Sequence, residues 1–358
     1  MICRCLLCLA VLLAPLAAAA AEPRLNEIQA IGSHNSYHVA PPRELLSIIG
    51  RLRKDAAAGW GFTQPPLPDQ LDAGLRQFEL DVYADLHGGL FANPLALKLA
   101  ALSGAKPPPF DPDGELAKPG FKVLHVPDLD CWTNHRTLAG ALKALSDWSR
   151  AHPRHLPVMV LIECKDQPHP PLPTQPLPFD RARLLELERE ILSVIPARHI
   201  LRPDEVRGDS PTLPEALRSR GWPPLSAVRG RFLLALDNTG ALRDAYLQDN
   251  PALEGRLMFA SADRESDPAA AWFKCNDAAR DFERIQRLVR NGFLVRTRAD
   301  TSAANPALRD KAFASGAQWV STDHHDAALP ESRRVRFPGG STVRPNPLAG
   351  DPQAAIDP

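Results

Sequence analysis

RQFELDVY (residues 76–83) is the stretch from which the fold is read. It is a β-type run that delivers two carboxylates, Glu79 and Asp81, spaced two apart and therefore on one side of an extended strand. The same pattern recurs along the chain. EIQAIGS (27–33) runs into His34 and Asn35, FKVLHV (121–126) closes on His125, and PVMVLIE (157–163) closes on Glu163 with Lys165 just beyond. RFLLALD (231–237), RLMFASA (256–262), GFLVRTR (292–298) and AQWVST (317–322) complete eight candidate strands. Amphipathic segments fall between several of them, at 137–150, 180–195 and 277–290, with apolar residues at helical spacing. Eight strands alternating with helices predict a parallel α/β fold, a (β/α)₈ TIM barrel. A doubly wound open sheet is the competing arrangement. It is disfavoured because no glycine-rich phosphate loop follows the first strand.

The 358 residues suit one large domain, read as a single catalytic barrel over 22–358 with a proline-rich C-terminal tail. Two segments break the rhythm, 84–120 and the proline-rich 164–180. On a barrel both belong to the C-terminal face, where active sites lie. Ahead of the domain, Arg4 precedes an apolar run that ends in alanines near residue 21. This reads as a signal peptide over 1–21, and so as a secreted or periplasmic protein. Lys plus Arg equals Asp plus Glu, 42 against 42, so no global field gathers nucleic acid. Cys131, Cys164 and Cys275 match no zinc spacing and read as buried thiols with at most one bridge among them.

Neighbouring parallel strands lie about 4.8 Å apart, so groups at their C-terminal ends converge at the barrel mouth. Glu79, Asp81, Glu163 and the Asn35 amide oxygen form an all-oxygen set. Carboxylates crowded in this way repel unless a cation joins them, and oxygen donors suit Ca²⁺ or Mg²⁺ better than zinc. Such an ion can bind a phosphate oxygen and acidify a hydroxyl. His34 and His125, from different strands, can then act as base and acid, with Lys165 offsetting phosphate charge. The remaining histidines, His38 among them, read as solvated or structural, except that His324 and His325 follow the last strand and can reach the mouth.

GSHNSYH (32–38), FELDVYAD (78–85), VLHVPDLD (123–130) and VLIECKD (160–166), with later segments at 221–237, 291–301 and 315–325, resemble the bacterial calcium-dependent phosphoinositide-specific phospholipase C family. The resemblance spans roughly residues 25–347. It implies a barrel that cleaves phosphatidylinositol by attack of the inositol 2-hydroxyl, releasing diacylglycerol and a cyclic inositol phosphate. It implies Asn35, Glu79, Asp81 and Glu163 as calcium ligands, His34 and His125 as catalytic histidines, and Lys165 as a phosphate contact. Calcium is placed ahead of magnesium on this ground. His125 is expected as the acid to the diacylglycerol oxygen, and the formal base is left open, with Glu79 a candidate. Arg296 and Arg298 are expected to face opposite sides of their strand, so that only one reaches inositol or phosphate. The expected partners are phosphatidylinositol or a related phosphodiester lipid and, peripherally, a membrane surface. The apolar run around Leu90, Phe91, Leu95, Leu97 and Leu99 is its candidate contact.

Two other functions share these features. A glycerophosphodiester phosphodiesterase uses a similar His, Glu-x-Asp, His layout, but such enzymes open on His-Arg-Gly where this chain has His34-Asn35-Ser36. A silent lipid- or inositol-binding protein would not need both histidines.

Overall fold

In the computed structural model, the residues described are 22–357 without 53–56, 58, 108, 302 and 327. The leader over 1–21 lies outside them. Among the described residues ten strands are present: β1 (Ile28–Ser33), β2 (Gln77–Asp85), β3 (Gly120–Val123), β4 (Val158–Cys164), β5 (Phe232–Leu236), β6 (Phe259–Ala260), β7 (Trp272–Asp277), β8 (Leu294–Arg298), β9 (Trp319–Thr322) and β10 (Val343–Pro345). They form two five-stranded sheets, ordered β10-β1-β9-β8-β7 and β3-β2-β4-β5-β6.

Two seams join the sheets into a ring of eight parallel strands. Between β6 and β7, Ser261 bridges Trp272 in parallel and the Ala262 N–H donates to the Trp272 carbonyl at 3.1 Å. Between β1 and β2, the Arg76 N–H donates to Ile31 O at 3.1 Å and the Ser36 N–H to Glu79 O at 3.0 Å. That seam needs a glycine: a Cβ on Gly32 would sit 2.2 Å from Gln77 Oε1, which is inside van der Waals contact. β10 pairs antiparallel with the first half of β1 and fills the wedge beside the seam. The parallel strands are buried on both faces, as expected of strands covered by crossover helices.

The eight-stranded barrel matches the expectation, but one of its strands does not. Only the first half of FKVLHV lies in β3, which pairs antiparallel with the outer half of β2 (Val82↔Val123, Ala84↔Phe121) and is not a wall of the barrel, so His125 stands in the loop beyond it. The wall strand missing from the sequence reading is β7, WFKCND, between β6 and β8. The β2–β4 connection is therefore a long excursion that carries a hairpin and the helices Leu95–Leu102 and Leu138–Ala151. The second of these starts at Thr137, whose hydroxyl accepts from the Gly140 N–H at 3.0 Å, and it buries Leu138, Leu142 and Leu145 on the sheet. The helices Arg181–Val194 and Phe282–Arg290 likewise bury Leu184, Leu187 and Ile191, and Ile285 and Val289. Cys131, Cys164 and Cys275 are buried and unbridged.

Candidate active site

The ionisable groups gather at the C-terminal ends of the strands. Register explains the carboxylates: Asp81 on β2 lies directly beside Glu163 on β4, and Glu79 lies one pleat deeper. The Lys165 ammonium reaches between them, 2.8 Å from Glu163 Oε1 and 3.2 Å from Asp81 Oδ2. Carboxylate oxygens of Glu79, Glu163 and Asp237 all lie within 4.8 Å of one another. Asp237 closes β5 and is paired with Lys274 of β7 at 2.5 Å.

Burial treats these acids differently. Glu79 is buried, yet the Arg296 guanidinium against it, helped by His34 and Arg298, holds its carboxyl down at about 2. Asp81 is pushed up to about 6, chiefly by burial and also by the Glu163 charge, with Lys165 opposing. Both Asp81 oxygens are buried without a hydrogen-bond partner among the described residues. The Lys165 ion pair at 3.2 Å offsets part of the cost of burying this carboxylate, and a metal cation nearby would offset more. The carboxylates that the structure brings within reach of one ion are Glu79, Glu163 and Asp237, an all-oxygen set that fits a hard divalent ion; Asp81 lies beside Glu163 in register and is not among them. Asn35 sits where β1 breaks off, at φ 44°, a left-handed conformation that Asn tolerates better than most residues. Its neighbour Ser36 donates its backbone N–H to the Glu79 carbonyl, which holds this turn against β2.

Each catalytic candidate histidine rests on a carboxylate. The His34 Nδ1 lies 2.8 Å from Asp323 Oδ1, and its Nε2 lies 3.3 Å from Arg298 Nη1 and 3.8 Å from Glu79 Oε1. Arg298 also donates to Asp323 at 2.9 Å. Asp323 is held below its ordinary range: burial opposes this, and the His34 and Arg298 contacts prevail. The His125 Nδ1 lies 2.6 Å from Asp130 Oδ2. Burial works against a charged His125, but the Asp130 bond prevails and its pKa is raised. On its other side Asp130 takes the Nε2 of the fully buried His38 at 2.9 Å, and the His38 Nδ1 faces Phe62 O at 2.9 Å. Trp60 meets His125 edge-on, and the Tyr83 hydroxyl donates to the His125 carbonyl at 2.8 Å.

All nine expected site residues thus sit at one barrel mouth. The expected split of Arg296 and Arg298 fails. Two apart on a strand, they share a face, and Arg296 reaches Glu79 while Arg298 reaches His34 and Asp323. His38 is no solvated bystander, since it buttresses Asp130. His324 and His325 are buried and engaged with Asp300 and Gln64. Asp130, Asp237, Lys274 and Asp323 were missed. Asp237 obeys the strand-end rule in RFLLALD, while Asp130 and Asp323 stand within VLHVPDLD and STDHH, so the signal was present for all but Lys274.

A TIM barrel with clustered carboxylates and two carboxylate-backed histidines at its mouth defines a metal-assisted phosphodiesterase of the phospholipase C type. The family model for calcium-dependent phosphoinositide phospholipase C matches residues 23–347, and the chain belongs to this family. It is accordingly a phosphoric diester hydrolase, and calcium is its metal. Among solved structures, it is similar to a calcium-dependent phosphatidylinositol-specific phospholipase C from Streptomyces antibioticus. The TM-score is 0.57 at 17% identity over 90% of this chain and 99% of that one. It is also similar to the calcium-dependent phosphoinositol-specific enzyme of a Pseudomonas species in its myoinositol complex. There the TM-score is 0.56 at 13% identity over 90% and 96%. These likenesses establish the shared fold. A search among curated proteins finds no match.

Proposed function

We propose that this enzyme cleaves phosphatidylinositol to diacylglycerol and a cyclic inositol phosphate, with His34 as base and His125 as acid. The observation that carries this is the unequal pair of histidines at one mouth. Asp323 takes the Nδ1–H of His34, which leaves the Nε2 lone pair as the acceptor; in the structure it accepts from the Arg298 N–H at 3.3 Å, and the inositol hydroxyl has to displace that contact to reach it. The Asp130 bond raises the His125 pKa against the effect of burial, which favours the protonated form that can donate from Nε2. Glu79 is a poor base, because Arg296 stabilises its ionised form.

His34 takes the proton of the inositol 2-hydroxyl, and that oxygen bonds to phosphorus. The bond from phosphorus to the glycerol oxygen breaks, and His125 protonates the departing oxygen. Glu79, Asp81, Glu163 and Asn35 would hold calcium, which supplies charge neutralisation at phosphate and acidifies the attacking hydroxyl. Lys165 adds a further positive charge at the same phosphate. ³¹P NMR with phosphatidylinositol tests this: a cyclic inositol phosphate signal that appears with Ca²⁺ and vanishes with chelator is expected. A linear phosphate with no cyclic precursor would remove the 2-hydroxyl from the scheme.

We further propose peripheral contact of the mouth with a bilayer, through the helix Leu95–Leu102. This helix starts on the catalytic loop, where Asp128 accepts from the Leu95 N–H at 3.1 Å, and it ends on Leu102, which is 85% exposed. The apolar leader over 1–21 supports export of the enzyme. N-terminal sequencing of the secreted chain should then begin near Glu22.

A further inference from the structure

The opposite end of the barrel carries a cavity of about 610 Å³ lined by Arg150, Arg198, Arg229 and Arg231, with His199 and Ser146. Arg231 leads into β5, and Arg150 ends the helix that leads into β4. The cavity therefore lies at the N-terminal ends of these strands. Along β4, the five residue steps from Val158 to Glu163 put it about 17 Å from the catalytic carboxylates.

The charge at this place is unbalanced. No aspartate or glutamate lines the cavity among the described residues, although acidic and basic residues are equal over the whole chain, 42 each. Arg150 is paired with Asp147, and Arg231 lies 2.8 Å from Glu205. The other two have no such partner. Arg229 donates only to backbone carbonyls, Arg154 O at 2.7 Å and Asp357 O at 2.8 Å. Arg198 has no hydrogen-bond or ion-pair partner among the described residues. A second cavity of about 440 Å³ adjoins the first at Pro153 and differs from it: Asp72 and Asp357 face its basic residues, so it is balanced.

Guanidinium groups gathered in a concave wall repel one another and raise the local potential for an anion. Their planar forks match phosphate oxygens two at a time. The cavity has the volume of a small-ligand site. We propose that it binds a soluble phosphate-bearing anion, the size of pyrophosphate or a sugar phosphate, at a site separate from the catalytic mouth. The choice of a soluble source rests on the proposed membrane contact: with the mouth turned to a bilayer, this end faces water.

Calorimetric titration of pyrophosphate into the mature chain tests the site, without calcium so that the catalytic carboxylates recruit no phosphate. One site is expected. Arg198→Gln should weaken it about tenfold and Arg198→Glu abolish it, while Lys165→Met leaves it unchanged. Arg198→Glu should keep full turnover of a soluble phosphodiester, which shows that it is folded. Three outcomes would overturn the proposal. One is no binding to the wild-type chain at millimolar pyrophosphate. Another is binding lost in Lys165→Met and kept in Arg198→Glu. The third is Arg198-dependent sedimentation with phosphatidic acid vesicles, which would make the ligand a lipid headgroup.

Discussion

Asp130 decides what His125 can do. Burial alone would favour a neutral imidazole, and the carboxylate at 2.6 Å reverses that. An acid must carry its proton, so turnover should fall as pH rises through the raised His125 pKa. Asp130→Asn removes the opposing charge and leaves burial in command. The alkaline limb of the kcat/KM profile should then move to lower pH, and the neutral rate should drop roughly 10²-fold or more. An unmoved limb would reject the assignment. Asp81 tests the metal set from the other direction. Its pKa is near 6 in the fold against an ordinary 3.8, so the folded chain binds the extra proton more readily. Its stability contribution is therefore favourable at low pH and is lost as pH rises through about 6. At neutral pH, without metal, ionised Asp81 costs up to roughly 3 kcal/mol. Asp81→Asn should raise the melting temperature of the calcium-free enzyme at pH 7 and shrink the increment that calcium adds. A lower melting temperature without calcium would mean that Lys165 already compensates the charge fully.

The elements that present these residues were legible to different degrees. The strand ends were readable because an apolar run that stops on an ionisable group is a local feature, and seven of the eight wall strands follow from it. β3 was misplaced because FKVLHV carries no mark of direction: an antiparallel hairpin strand and a parallel wall strand share the same apolar content. β7 was missed because Lys274, Asn276 and Asp277 dilute WFKCND, and only the fold reveals that the Lys274 side chain spans to Asp237. The excursion behind β3 holds a similar lesson. Phe91 was a plausible lipid contact by its position, yet it is buried against Tyr83, with ring centroids 5.3 Å apart. Phe91→Ser should therefore destabilise the chain by about 3 kcal/mol or more. Leu102 is the residue left facing solvent. Leu102→Ser should spare stability and soluble-substrate turnover, while weakening partition onto phosphatidylinositol vesicles by up to about tenfold. Equal vesicle binding by the two proteins would leave the helix a purely structural role.

At the scale of the whole molecule, the site sits across one of the two seams of the ring. β1 and β2 belong to different sheets, and a few hydrogen bonds around Gly32 and Gln77 are what join them. Asn35 follows β1, Glu79 and Asp81 are on β2, and Glu163 is on β4. An ion held by these residues ties both sides of that seam together, and the unfolded chain offers no such set. Calcium should therefore stabilise the fold by mass action, by about 2.7 kcal/mol at a hundredfold excess over Kd. In a domain of this size that is a rise in Tm on the order of 5 °C, and a chelator should reverse it. Magnesium should do less, because it gives up its water less readily for an all-protein oxygen cage. The variants separate ligand from acid: Glu79→Gln should lose most of the calcium-induced rise, and His125→Ala should keep all of it while losing turnover. A thermal melt with calcium and then chelator reads both effects without any substrate. A wild-type Tm that calcium leaves unmoved would mean that these carboxylates do not hold the ion, whatever the rate measurements show.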